Sequence, residues 1–360
     1  MASPKLVTIF GSTGNQGGSV VRSLLRNSAA FRVRGLTRTP DSPKAKELAQ
    51  AGVEVVGADG FKKDDLVNAF KDSWAVFANT NSDDSAFDDP NGPTELDLGR
   101  VIVDAANEVG VEHFVYSSAG HVHQITKGAV KLDMMDNKNK IEQLARNSPN
   151  IKNVTAVCAG WYFENFTSPF IAEVFGGFPF VTDSEGYVTL SQPLVGGLGL
   201  VPYIAIEEDF GDLVHGVLLH PETWGGKSIQ GFSHLATFPE IVENFTKSAA
   251  LFAICQQIIH ANQKPLFRGH IVTGKKSRYI PLKIENFPTM GGIRALESIR
   301  DMYLFTQWAD GRYFANQEFD AEQARALKKS VQDVVAPGEP KSLMTAEQFF
   351  AEMFSGDKTE

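Results

Sequence analysis

The chain has 360 residues, 42% of them apolar and 21% charged, close to the globular average, which excludes disordered, collagen-like and staple-dependent scaffolds. Its length suggests two domains or one large one. With 34 Lys and Arg against 43 Asp and Glu, a formal charge of −9 argues against a broad nucleic-acid-binding face and leaves open only a local basic pocket.

The two cysteines, Cys158 and Cys255, lie in apolar stretches. They cannot build a disulfide framework and read as buried thiols in a reducing compartment. The first five residues lack the pattern of a signal peptide. No apolar run reaches the roughly 18 residues of a membrane span; the nearest, around 249–259, is broken by Gln256 and Gln257. The expectation is a cytoplasmic protein, with a nuclear location also open and no membrane association.

From the N-terminus, short β-branched runs alternate with helical patterns. Strands are predicted over 6–10, 32–37, 53–58, 75–79, 113–117 and 154–158, and helices over 17–27, 43–51, 63–70, 96–109 and 132–148. Strands joined through helices run parallel. The pattern therefore predicts an α/β fold with a doubly wound parallel sheet over 1–160. Beyond 160 the alternation stops, Gly- and Pro-rich loops appear at 175–180 and 192–202, and a smaller mixed α/β domain over 161–350 is expected, interleaved with the sheet. In it, Thr237 with Glu240 and Thr345 with Gln348 carry the spacing of helix-capping boxes. Residues 351–360 read as a flexible tail.

Directly after the first strand stand Gly11, Ser12, Thr13, Gly14, Asn15, Gln16 and Gly17, a G-x-x-G-x-x-G turn leading into a helix. Glycines permit the tight turn, close approach of a diphosphate to the backbone, and close helix-strand packing; the helix start then offers free amides and a positive dipole end. The strand before it and the helix after it make a bound dinucleotide the better reading over a plain tight turn. At the end of the second strand, where an acid would hold the ribose 2′-hydroxyl of NAD, the chain reads GLTRTP with Arg38. A guanidinium pairs with a 2′-phosphate through two hydrogen bonds, so NADP is favoured. Asp59 and Gly60 follow the third strand, where a contact to the adenine edge and a plain turn are both open.

The segments GSTGNQGGSVVRSLL (11–25), GLTRTP (35–40), VEVVGAD (53–59), VFANTN (76–81), HFVYSSAG (113–120), DNKNKIEQ (136–143) and AGWYFENF (159–166) resemble the NmrA-like branch of the atypical short-chain dehydrogenases/reductases. The likeness is strong over about the first 170 residues and looser over 201–227. It implies a Rossmann-type NADP-binding domain. Carried over position by position, it implies NADP contacts at Gly11, Gly14, Asn15, Gln16, Arg38, Asp59, Thr80, Asn81, Lys138 and the segment Tyr162, Phe163, Glu164 and Asn165.

Short-chain reductases generally pair a tyrosine acid with a lysine four residues later. Here Met134 stands four residues before Lys138, and no tyrosine lies between Tyr116 and Tyr162. Ser117 and Ser118 match the place of the family's carbonyl-polarising serine, or are satisfied hydroxyls closing a strand. Two functions stand. In the first, the protein is an NADPH-dependent reductase of a small apolar carbonyl or enone substrate, with Lys138 giving the proton or Tyr162, His121 or His123 substituting, and with Trp161, Tyr162, Phe163, Phe166, Phe178 and Phe180 walling a pocket. In the second, it is a non-catalytic NADP redox sensor whose bound state controls a regulatory protein partner such as a transcription factor. The reductase is preferred because Lys138 and both serines are present.

No metal site is expected, since His121 and His123 lack further ligands by sequence. Neither a Gly-x-Ser-x-Gly elbow nor an activated cysteine is present. Residues 248–271 read as an extension of a helix over 239–247 or as an insertion, with a strand over 272–281 beyond. The apolar character of the insertion leaves a homodimer through it open.

Overall fold

The computed structural model describes residues 3–259, 276–315, 317–338 and 341–355. The chain begins with alternating strands and helices: β1 (Lys5–Ile9), α1 (Asn15–Leu25), β2 (Phe31–Thr37), α2 (Pro43–Gln50), β3 (Glu54–Gly57), α3 (Lys63–Phe70), β4 (Ala75–Ala78), α4 (Glu95–Val109), β5 (His113–Ser118), α5 (Val122–Ile125), α6 (Asp133–Arg146) and β6 (Asn153–Ala159). Next come β7 (Trp161–Tyr162), α7 (Pro169–Val174), β8 (Tyr187–Pro193), β9 (Val201–Ile204), α8 (Gly211–Leu219), α9 (Pro221–Trp224), β10 (Ser228–Gly231) and β11 (His234–Ala236). The remainder is α10 (Phe238–Ile259), β12 (Lys276–Leu282), α11 (Arg294–Trp308), α12 (Glu322–Val335) and α13 (Ala346–Ser355).

The chain forms two compact units. The first comprises residues 1–159, 206–232 and 314–343; the second comprises 160–205, 233–313 and 344–360.

The first unit is built on a seven-stranded sheet of order β10-β6-β5-β4-β1-β2-β3, and its neighbouring strands pair in parallel. Parallel strands covered on both faces read as continuous apolar runs. The runs in β1 and β4 are such cases: Val7, Ile9, Val76 and Phe77 are fully buried. On one face α3, α4 and α6 seal a core of Leu66, Phe70, Val76, Leu98, Ile102, Phe114, Tyr116 and Ile141. Gly99 lets α4 close on α6, where a Cβ would fall 2.2 Å from Ile141 Cγ1. On α1, the backbone of Gly211 in α8 approaches so closely that a Cβ there would lie 2.2 Å from Ser19 O, and Gly211 N–H donates to Ser19 Oγ at 2.9 Å.

Two features depart from the sequence reading. Alternation resumes after 205: α8 and α9 lead to β10, which joins the main sheet parallel to β6. The strand is only four residues, Ser-Ile-Gln-Gly, without the β-branched run that marks the others. Second, α12 returns to the first unit, with Gly216 of α8 packed on Leu327 of α12.

The second unit holds a small mixed sheet, β11-β9-β7, with β11 antiparallel and β7 parallel to β9, and a parallel pair β12-β8. Both capping boxes form: Thr237 and Thr345 exchange hydrogen bonds with Glu240 and Gln348. The helix expected over 239–247 continues to Ile259, while 260–271 of the segment singled out in sequence, and 272–275 at the start of the expected strand, lie outside the described residues. The final helix α13 takes in Ala351 to Ser355.

Candidate functional site

The strand order reverses between β1 and β4, and the crevice beyond the carboxyl ends of such strands is where α/β sheets bind ligands. At that point Phe10 N–H donates to Phe77 O at 2.9 Å, and the next residue, Gly11, adopts φ +77°, a conformation that favours glycine. The turn closes through Gly14 N–H to Gly11 O at 3.0 Å. Ser12 Oγ is spent on Leu36 O at 2.9 Å, which ties the turn to β2. Gly17 is the tightest position: a Cβ would lie 2.2 Å from Gly11 O.

Helix α1 starts at Asn15, two residues earlier than the periodicity suggested, with Gly14 as its N-cap. No side chain caps it and no acid stands in its first turn. The first N–H groups of a helix have no partner within it, so Asn15 and Gly17 present amides and a positive dipole end beside an exposed Gly14, while the Gln16 side chain is buried. A diphosphate fits this cradle: the turn carries no Cβ at its closest approach and no anion of its own.

Arg38 follows β2 with its side chain 66% exposed, and its Nη2 lies 2.9 Å from Asp84 Oδ2. Asp59 ends the approach from β3; its Oδ1 accepts from Phe61 N–H at 3.1 Å, and its side chain faces Lys62 at 3.5 Å. Gly60 is buried against Phe10 and Leu98.

After β4, Thr80 and Asn81 open the next loop. Lys138 on α6 reaches back to this loop: its Nζ donates to Thr80 O at 2.6 Å and to Glu95 Oε1 at 2.6 Å, with Thr80 Oγ1 at 3.2 Å. Glu95, in the first turn of α4, also accepts from Thr80 Oγ1 at 2.6 Å and Ser82 Oγ at 3.1 Å. Tyr116 adds a phenol 2.8 Å from Thr80 Oγ1; full burial, with Glu95 nearby, holds its pKa well above the ordinary tyrosine value. Thus Thr80 and Lys138, both anticipated, come together, and Glu95, Ser82 and Tyr116 join them unannounced. The sequence offered one indirect signal: the Thr94–Asp97 capping box, which forms here, fixes Glu95 as the first residue of its helix.

Ser118 Oγ donates to Glu142 Oε2 at 2.5 Å, and Glu142 is paired with Arg146 at 2.7 Å. Ser117 is buried in β5. His121 Nδ1 lies 3.0 Å from the buried carboxylate of Asp136, which also accepts from His123 N–H; the His123 side chain is exposed. Among the described residues, no group of three or more His, Cys, Asp or Glu is placed to hold a metal ion. Burial pushes the Cys158 thiol up to about 12, so it is a poor nucleophile.

Tyr162, Phe163, Glu164 and Asn165 belong to the second unit. There Phe163 stacks on Tyr203 and on Phe349, each at 5.0 Å. Phe166 and Phe178 pack edge to face at 5.7 Å. Trp161, Tyr162, Asn165, Gln192, Tyr203 and Phe238 line a narrow crevice, and among the described residues the buried Tyr203 hydroxyl meets no hydrogen-bond partner. Most of the aromatics singled out in sequence are therefore core of this unit.

Fold and turn together define a Rossmann-type doubly wound protein with a smaller mixed second sheet. The NmrA-like family model matches residues 3–264, and the chain belongs to that family. It is 42% identical over 355 residues to the NmrA-like family domain-containing oxidoreductase hkm9 of Aspergillus hancockii, covering 98% of each. Among solved structures it is similar to NmrA, a negative transcriptional regulator, in complex with NADP, at a TM-score of 0.70 and 18% identity over 99% of this chain and 97% of that one. It is also similar to the NADPH-dependent quinone oxidoreductase QOR2 of Escherichia coli in complex with NADPH, at a TM-score of 0.66 and 18% identity over 97% and 99%. No described helix is long and apolar enough to cross a membrane.

Proposed function

We propose that the protein is an NADP(H)-dependent oxidoreductase that reduces the carbonyl or enone of a small apolar metabolite. The observation that carries this reading is the meeting, at the ends of β1 and β4, of an uncapped helix on a glycine turn with the loop that Lys138 grips. Hydride chemistry is supported by hkm9, which is named an oxidoreductase. NADP as the coenzyme is supported by Arg38 at the end of β2; the fold neighbours support a nicotinamide coenzyme more broadly, since QOR2 is solved with NADPH and NmrA with both NADP and NAD.

In this reading the amides of Asn15 and Gly17 would hold the diphosphate, Arg38 the 2′-phosphate, and Lys138 the nicotinamide ribose. NADPH, when held there, would be the hydride source for the electrophilic carbon of the substrate. Lys138 delivers the proton to the substrate oxygen and is restored from solvent. The contact from Lys138 Nζ to Thr80 Oγ1 is the longest of its three, so it is the one exchanged for an incoming hydroxyl.

A second reading is favoured by one specific observation. Ser118 is committed to Glu142, and all three Lys138 contacts are made within the protein, an arrangement suited to a redox sensor that anchors the coenzyme without turnover. The discriminating experiment is NADPH oxidation against a panel of quinones, enones and aldehydes, with Lys138→Ala alongside. Turnover in the native protein, lost by a factor of 100 or more in the variant while NADPH still binds, supports the reductase. Tight NADPH binding without turnover on any member of the panel supports the sensor.

A further inference from the structure

We propose that Asp84 sets how strongly the protein prefers a phosphorylated coenzyme, by competing with the 2′-phosphate for Arg38. The proposal rests on the reading of Arg38 as the 2′-phosphate ligand.

The Arg38 guanidinium is engaged at two points: Nη2 to Asp84 Oδ2 at 2.9 Å and Nη1 to Asp84 Oδ1 at 3.4 Å. A planar guanidinium offers this fork to a carboxylate or to a phosphate. The two partners are not equally anchored. Asp84 is 16% exposed against 66% for Arg38. Its Oδ1 accepts from Ala86 N–H at 3.0 Å and so caps the short 3-10 turn Ser85–Phe87. Its own N–H donates to Asn81 O at 3.2 Å. The carboxylate is thus fixed to the loop that begins with Thr80 and Asn81, and the arginine is the partner free to swing.

A 2′-phosphate arriving at Arg38 has two courses. It displaces the carboxylate and gives up an ion pair, or it shares the guanidinium and lies beside a like charge. The 2′-hydroxyl of an unphosphorylated coenzyme incurs neither cost. Asp84 therefore acts on one coenzyme and spares the other, which makes it a specificity residue. It lies 46 positions from Arg38 in sequence, and no spacing rule connects them.

Titration of the intact protein with NADPH and with NADH, for the native chain, Asp84→Asn, Arg38→Ala and the double variant, tests this. Asparagine keeps an acceptor for the Ala86 amide and removes the charge. For Asp84→Asn we expect NADPH affinity to rise about three- to fivefold, the range of an exposed ion pair, with NADH changed by less than a factor of about 1.5, and the gain to vanish in the Arg38→Ala background. An unchanged or weaker NADPH affinity in Asp84→Asn, or an equal gain for both coenzymes, overturns the proposal; if Arg38→Ala still loses the preference for NADPH, the reading of Arg38 survives. A preference for NADPH that persists in Arg38→Ala overturns both.

Discussion

Lys138 on α6 and Glu95 on α4 form an ion pair at 2.6 Å, with the Glu95 side chain 4% exposed and the lysine 16%. Because the same ammonium also donates to Thr80 O, the residue expected to touch the coenzyme simultaneously joins two helices to the loop after β4. Removing one member of a buried pair leaves the other charge unbalanced, which costs roughly 3–5 kcal/mol. Glu95→Ala is expected near the lower end, about 3 kcal/mol, because the lysine retains some access to water. Glu95→Gln, which keeps an acceptor for Thr80, is expected to cost less. Urea unfolding checks both, and a loss under about 1 kcal/mol for Glu95→Ala would show that the pair does not hold the two helices.

The glycine turn predicts a separation of effects. A methyl at Gly17 falls 2.2 Å from Gly11 O, and one at Gly211 falls 2.2 Å from Ser19 O. Both are overpacking changes worth about 1–3 kcal/mol. Only the first lies in the cradle, so Gly17→Ala is expected to weaken NADPH binding more than tenfold. Gly211→Ala, which meets α1 at Ser19 on the α8 side, is expected to lower the melting temperature with a smaller effect on binding. Equal binding losses in the two variants would contradict the assignment of the cradle.

Stability is expected to fall in mild acid. Burial holds the His215 pKa down to about 4. Its ring lies 3.0 Å from Ser23 Oγ and 3.2 Å from Asn27 Nδ2. In the unfolded chain histidine titrates near 6.5. The unfolded state therefore binds the extra proton first, so the stability contribution is complete above about 6.5 and is lost as pH falls toward 4. The shift sets an upper bound of about 3 kcal/mol. His113 and His234, also lowered by burial, act in the same direction. Urea midpoints between pH 7 and 4 should decline, and less steeply in His215→Gln; a slope unaffected by that substitution would place the acid sensitivity elsewhere.

What the sequence revealed follows a physical division. The strands from β1 to β6 and, apart from the single turn α5, the helices between them were legible because parallel buried strands are continuous apolar runs, and helix faces repeat every three to four residues. The tight turn after β1 was legible because close backbone approach admits only glycine at positions such as Gly17. Both capping boxes were legible because Thr237 with Glu240, and Thr345 with Gln348, are local. The partners of the site residues were not. Glu95 meets Lys138, and Asp84 meets Arg38, only because β4, which leads into the loop and helix carrying both acids, lies between β1 and β5 in the sheet, a tertiary arrangement without any fixed spacing. The return of α8, β10 and α12 to the first unit was hidden for a similar reason: β10 is too short and too polar to announce itself, and α12 lies over 160 residues from β6.

The central claim is that the turn after β1 holds a nicotinamide coenzyme carrying a 2′-phosphate. Parallel calorimetric titration of the native protein with NADPH and NADH tests it most directly. Both are expected to bind saturably and one-to-one, with NADPH the tighter and its advantage abolished by Arg38→Ala. Absence of binding by either coenzyme, or an NADH affinity equal to that of NADPH, would contradict it.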